Sequence, residues 1–222
     1  MGPGDMPESE APKAAEVKHA EAAREAHQQL LDEVMKIARH SKETRDGAHK
    51  DMPAIENKGQ IERMVFPKGW IVGDPEKNPG IGTQSYQEVY RLDNHDTSVG
   101  FFYRGLPVDD GSAVNFRALL DQPPHALSAD ELHSLQRIIG AKTPSDSPKF
   151  TMTSAKTEDL NGKKVLVVEG SYPESGDHIR AIYIDADGSG RFVQEVQYQA
   201  PKAEYQKHMK EVQSALKSIE WK

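Results

Sequence analysis

The sequence contains no cysteine among its 222 residues. That absence removes disulfides, thiolate nucleophiles, iron–sulfur ligation and cysteine zinc sites together. It leaves the compartment open, because a cysteine-free chain suits the cytosol and the periplasm equally. No apolar run approaches the ~20 residues a membrane-spanning helix needs. The first residues, Met1-Gly2-Pro3-Gly4-Asp5, lack the positive and apolar regions of a secretory signal. A soluble cytoplasmic chain is expected as written, or a periplasmic or extracellular one if a leader has been removed. Basic residues are not clustered and the net charge is −7, which argues against a nucleic-acid binder, whose footprint is a concentrated basic surface. The Gly-x-Ser-x-Gly elbow of a serine hydrolase and the glycine-rich phosphate loop are missing too. Gly80-Ile81-Gly82 stands alone, without a following helix.

What is present divides the chain in two. Residues 11–40 are rich in Ala, Glu, Lys and Gln, strong helix formers, which predicts one long N-terminal helix. Leu30, Leu31, Val34 and Ile37 recur on one face of it, a stripe that needs a cover: its own domain, a second copy or a protein partner. Residues 41–59 have almost no large apolar side chains and read as linker. The expected organisation is a polar extension over 1–59 and an α+β domain over 60–222.

Beyond Ile61 the texture is that of short strands. Met64 to Val72 reads as a strand passing through a turn, followed by a Pro/Gly-rich loop over 73–82. Gln84–Leu92 and Thr97–Arg104 read as an antiparallel hairpin around Asp93-Asn94-His95-Asp96. Ser128 and Glu131 form a capping box ahead of Leu132, Leu135, Ile138 and Ile139, predicting a helix over 129–139 that Gly140 stops. Four more strands are expected at Phe150–Ala155, Lys164–Glu169, Ile179–Asp185 and Arg191–Gln199, with tight turns at Asn161-Gly162 and Asp187-Gly188-Ser189-Gly190. A final helix opens at Pro201 and carries Tyr205, Met209, Val212, Leu216 and Ile219 on one face. An antiparallel sheet with helices packed on it is the economical way to bury these stripes.

Few residues suggest chemistry. Asp185, Asp187, Ser189 and Gly190 match the opening of a calcium loop, but Val196 holds the twelfth position and the acidic residue falls one earlier, at Glu195. Strand-like flanks favour a hairpin turn, so no cofactor is expected, with calcium on these three side chains as the weak alternative. His19 and Glu16 share a helix spacing seen in di-iron bundles, without the further carboxylates such a site requires. Asp93, His95 and His178 are the residues from which a hydrolase or metal site would have to be assembled in the fold.

Phe66-Pro67-Lys68-Gly69-Trp70 at the opening strand, the meander ending in Val193-Gln194-Glu195-Val196 and the closing helix into Leu216-Lys217-Ser218-Ile219 resemble the PsbP-like superfamily over residues 60–222. That superfamily takes in photosystem accessory proteins, a Ran-binding nuclear import factor and bacterial secretion adaptors. The resemblance implies a three-layer α/β/α fold used as a binding and assembly module. A non-enzymatic binding or adaptor protein is therefore the expected function, acting through a protein partner or self-association.

Overall fold

The computed structural model describes residues 28–29, 31–33, 35–36, 52–73, 86–140 and 150–222. The chain divides into two compact units, Met1–Asp51 and Met52–Lys222. In the first, the described residues are helical, and Gln28 Nε2 donates to Asp32 Oδ1 one turn on at 3.2 Å. The rest of the expected helix, and the loop over 74–82, lie outside the described residues.

The second unit starts eight residues before the expected domain boundary at residue 60. Strand β1 (Ala54–Lys58) pairs with β2 (Ile61–Val65), and β2 pairs in turn with β10 (Glu220–Trp221) in a three-stranded sheet. The segment read as linker is therefore partly strand. The strand is hard to see because an edge strand of a small sheet needs only one large inward side chain, here Ile55.

The chain then crosses through Phe66–Gly69 into a seven-stranded antiparallel sheet of order β3-β4-β5-β9-β8-β7-β6. Its strands are β3 (Trp70–Val72), β4 (Tyr86–Arg91), β5 (Ser98–Pro107), β6 (Thr151–Leu160), β7 (Lys163–Tyr172), β8 (Asp177–Asp185) and β9 (Phe192–Pro201). Each of the last four is longer than expected, although β6 and β9 begin one residue later and β8 ends at Asp185 as expected. Asn161 and Gly162 take the positive φ angles, 54° and 82°, that a two-residue hairpin turn needs.

Central strands bury both faces. Along β7, Val165 and Val167 point into one apolar cluster, while Leu166 and Val168 point into the other. All four are fully buried, each side chain contributing roughly 1.5–3 kcal/mol relative to exposure. On the first face lie helix α4 (Lys202–Lys217) and the small sheet, supplying Tyr205, Val212, Leu216, Ile55 and Met64. The opposite face is covered by α1 (Asp110–Asp121), α2 (Ala129–Ser134) and α3 (Gln136–Ile139), through Phe116, Leu119, Leu135 and Ile139. Three layers result, with the expected helices on opposite sides of the sheet.

Helix α1 is absent from the sequence reading, although its signals exist. Asp109 accepts from Ser112 N at 3.0 Å as the N-cap, and Ala113, Phe116 and Leu120 follow at helical spacing. The expected 129–139 helix is broken at Leu135 into α2 and α3. Its capping box is present with both reciprocal bonds. His125 Nε2 lies 3.0 Å from Glu131 Oε1 while its Nδ1 meets Pro123 O at 2.8 Å. The Pro123 carbonyl and Glu131 together raise the imidazole's pKa. The Ser128 backbone N–H and then His125 hold Glu131 at about 2.

Two side chains fix the end of α4. Asn161 Nδ2 donates to Leu216 O, Lys217 O and Ile219 O at 3.2, 3.2 and 2.9 Å. Ser218 Oγ accepts from Val65 N at 2.8 Å, joining the helix to β2.

Leu216→Ala is expected to cost ~2–5 kcal/mol in chemical denaturation, because Leu216 is buried between the layers. Asn161→Gly keeps the left-handed backbone and deletes only the amide, and should cost about 1–3 kcal/mol by the same measurement. The His125–Glu131 pair gives a pH dependence of known sign. Glu131's contribution is present above 4.5 and lost as pH falls toward about 2, and that of His125 is present below 6.5 and lost as pH rises through its raised value. Imidazole NMR should give a His125 midpoint above 6.5 that Glu131→Gln moves down.

Candidate functional site

The helices of the second face lie over β6, β7 and β8 and leave β4, β5 and the neighbouring positions of β9 without a helical cover among the described residues. Strand alternation decides what this open half displays. Val89, Val99, Phe101, Val196 and Tyr198 face α4, so Tyr86, Glu88, Ser98, Gly100, Phe102, Gln197 and Gln199 face outward. Register sets these in rows across the sheet: Tyr86 opposite Phe102 and then Glu195, Glu88 opposite Gly100 and then Gln197, Ser98 opposite Gln199.

The result is a depression of about 560 Å³. The Tyr86 and Phe102 rings pack as a cross-strand pair with centroids 4.6 Å apart. Gly100 makes room for this, since a Cβ there would lie 2.5 Å from the Tyr86 hydroxyl. Burial, followed by the charges of Glu88 and Glu195, raises the Tyr86 pKa, so the phenol keeps its proton at any physiological pH. Toward the far end Gln199 Nε2 donates to Asp177 Oδ2 at 3.0 Å. At the turn between β4 and β5, the His95 ring packs tilted against Tyr90 with centroids 4.5 Å apart, and Asp96 completes the rim. Phe102 remains 37% exposed, and Leu106, further along the same face of β5, 62%.

The residues singled out from sequence fall elsewhere or apart. Asp185 is buried in the β8–β9 turn, where Oδ1 accepts from Gly188 N and Gly190 N, each at 3.0 Å, and Oδ2 lies 3.4 Å from Arg117 Nη1. Asp187 accepts from the Ser189 hydroxyl at 2.7 Å and from its N–H at 3.0 Å, which hold its carboxyl below the usual range. The oxygens that a cation would use are thus engaged by N–H and O–H donors, as in a polar hairpin turn. Glu195 is on β9 opposite Tyr183.

Asp93 forms a two-point pair with Arg91, Nε to Oδ1 at 2.8 Å and Nη2 to Oδ2 at 2.9 Å, which holds the carboxyl at about 2. Arg91 also reaches Glu211 Oε2 at 3.0 Å, an oxygen that accepts from Trp70 Nε1 at 2.7 Å. Buried His208 lies beneath, 3.0 Å from Glu204. This cluster latches α4 to the β3–β4 edge. His178, on β8, lies against the Tyr205 ring at 5.4 Å on the α4 side. Asp93, His95 and His178 are therefore not brought to one point. No group of three His, Asp or Glu side chains among the described residues is placed to hold a metal. Of the N-terminal stripe only Leu31 is described, helical and 44% exposed; Leu30, Val34 and Ile37 lie outside the described residues, as do Glu16 and His19.

No helix among the described residues is long and apolar enough to cross a membrane. No protein-family model and no curated protein matches the sequence. Among solved structures the chain is similar to a cyanobacterial PsbP (CyanoP) from Synechocystis, with a TM-score of 0.41 at 11% identity over 72% of this chain and 86% of that one. It is also similar to a crystal structure from Bacteroides thetaiotaomicron, with a TM-score of 0.40 at 10% identity over 77% of this chain and 48% of that one.

Calorimetry is expected to show calcium binding no tighter than about millimolar, since the twelfth-position ligand is a valine and the Asp185 oxygens are already engaged. Micromolar binding that Asp187→Asn abolishes would mean that the turn rearranges around the ion.

Proposed function

We propose that the protein is a binding or adaptor module that works by protein–protein contact, with the open half of the seven-stranded sheet as its principal contact face. One observation carries this reading: an aromatic and aliphatic strip, Tyr86, Phe102 and Leu106, has no helical cover among the described residues, on a sheet whose other half lies beneath three helices. Exposed apolar strips with a polar rim mark places where proteins meet. Aromatic side chains supply most of the affinity at such places.

The N-terminal stripe is the second proposed surface. Leu31, its one described member, is helical and exposed, and a side chain of this size favours a cover by roughly 1.5–3 kcal/mol. A hydrolase built from Asp93, His95 and His178 would need these groups within reach of one substrate atom. Their partners here point different ways: Arg91 and Tyr90 are consecutive residues of β4, whose side chains leave opposite faces of the sheet, and Tyr205 is on α4.

In affinity purification from the native host, quantified by mass spectrometry, the full chain should retain a stoichiometric protein partner that Phe102→Asp loses. Phe102 is partly exposed, so the variant is expected to keep its melting temperature within a few degrees. Removal of residues 1–51 tests the helix separately, because Met52–Lys222 is a compact unit in its own right. Partners and solution mass unchanged by both alterations would contradict the proposal.

A further inference from the structure

The open face has a charge as well as a shape. Its lining includes Glu88, Asp96 and Asp177 and contains neither lysine nor arginine. Asp177 accepts only an amide N–H, from Gln199, and neither Glu88 nor Asp96 has a cationic partner among the described residues. Several carboxylates elsewhere in this domain are paired: Glu158 and Glu169 share Arg180, Asp93 and Glu211 share Arg91, and Asp185 meets Arg117. Those that line the open face carry their charge without such a cation among the described residues. Beside them lie the Tyr86 and Phe102 rings, which attract cations placed over their faces within about 6 Å. Burial keeps Tyr86 neutral, so its ring carries no competing charge.

We infer that the open half of the sheet receives an extended, arginine- or lysine-bearing segment of a partner protein, an occupant that rests on the contact reading above. Three features select it. Carboxylates beside aromatic rings suit guanidinium and ammonium groups. Gln197 and Gln199 offer amide donors and acceptors to a peptide backbone or side chain, with Gln197 Nε2 already reaching Gln199 Oε1 at 3.3 Å. The lining spans β4, β5 and β9 and the start of β8, and an extended segment places every second side chain on one side, roughly 7 Å apart. A basic side chain can then meet Glu88 while its neighbour two residues on reaches toward Asp96 or Asp177.

The test uses the full chain and a labelled short peptide that alternates arginine with threonine, with a matched peptide carrying glutamine in place of arginine. Fluorescence anisotropy should show the arginine peptide binding, with affinity falling as salt rises. Glu88→Gln with Asp96→Asn should weaken it roughly tenfold or more while the melting temperature stays put, since both changes are isosteric and at the surface. Amide and ring NMR shifts should map to Tyr86, Gly100, Phe102 and Gln197. Equal binding of the glutamine peptide, or indifference to the double variant, would overturn the inference. Tetramethylammonium binding as tightly as the peptide would make this a small-cation site and overturn the peptide occupant. A doubled solution mass that Phe102→Asp abolishes would assign the face to a second copy. If host partners are lost with Phe102→Asp but survive Glu88→Gln with Asp96→Asn, the contact function stands and the basic occupant does not.

Discussion

The structure depends on the double-sided burial of its central strands. Val165 to Val168 on β7 alternate between two apolar clusters without an exposed position. A strand of that kind is stable only beneath cover on both faces, since exposing either side forgoes roughly 1.5–3 kcal/mol for each large residue. The cover on one side is α4 and the small sheet, and on the other α1, α2 and α3. The anchoring details follow from this requirement: Asn161 seizes the carbonyls at the end of α4, Ser218 ties that end to β2, and Glu211 ties the middle of the helix to Trp70 and Arg91.

The same requirement explains why part of the sheet stays open. β9 switches from an inward residue on the helical face, Val193, to Glu195, Gln197 and Gln199 along that face. β5 and β4 answer with Phe102, Gly100 and Ser98, and with Tyr86 and Glu88. Apart from Tyr86 and Phe102 these are polar or small residues, which give a helix little to bury against. What remains is a twisted half-sheet with aromatic rings, amides and carboxylates, a surface suited to partners rather than to a core.

Much of the fold was legible because it is local. Asn161-Gly162 announced its hairpin, Ser128 and Glu131 their helix start, and the Tyr205–Leu216 stripe a helix with one buried face, although Met209 is only partly buried. β1 escaped because an edge strand of a small sheet displays a single large apolar residue. α1 escaped although Asp109 is its N-cap, because Asp110, Gly111 and Ser112 in its first turn are weak helix formers. The open face was not legible as a site, because it is defined by the absence of cover. Its members lie on β4, β5, β8 and β9, from Tyr86 to Gln199, far apart in the chain. One hint was present: Val196, Tyr198 and Ala200 alternate with Gln197 and Gln199, the pattern of a strand with one wet face.

Hydroxyl-radical footprinting of the free, full-length protein measures the openness of this face most directly. If the half-sheet is uncovered in solution, Phe102 and Tyr90 are oxidised readily, while Phe116, Phe101 and Tyr183, buried within the layers, are protected. Protection of Phe102 equal to that of Phe116 in a chain of monomeric mass would show the face to be covered from within, and would contradict its role as a contact surface.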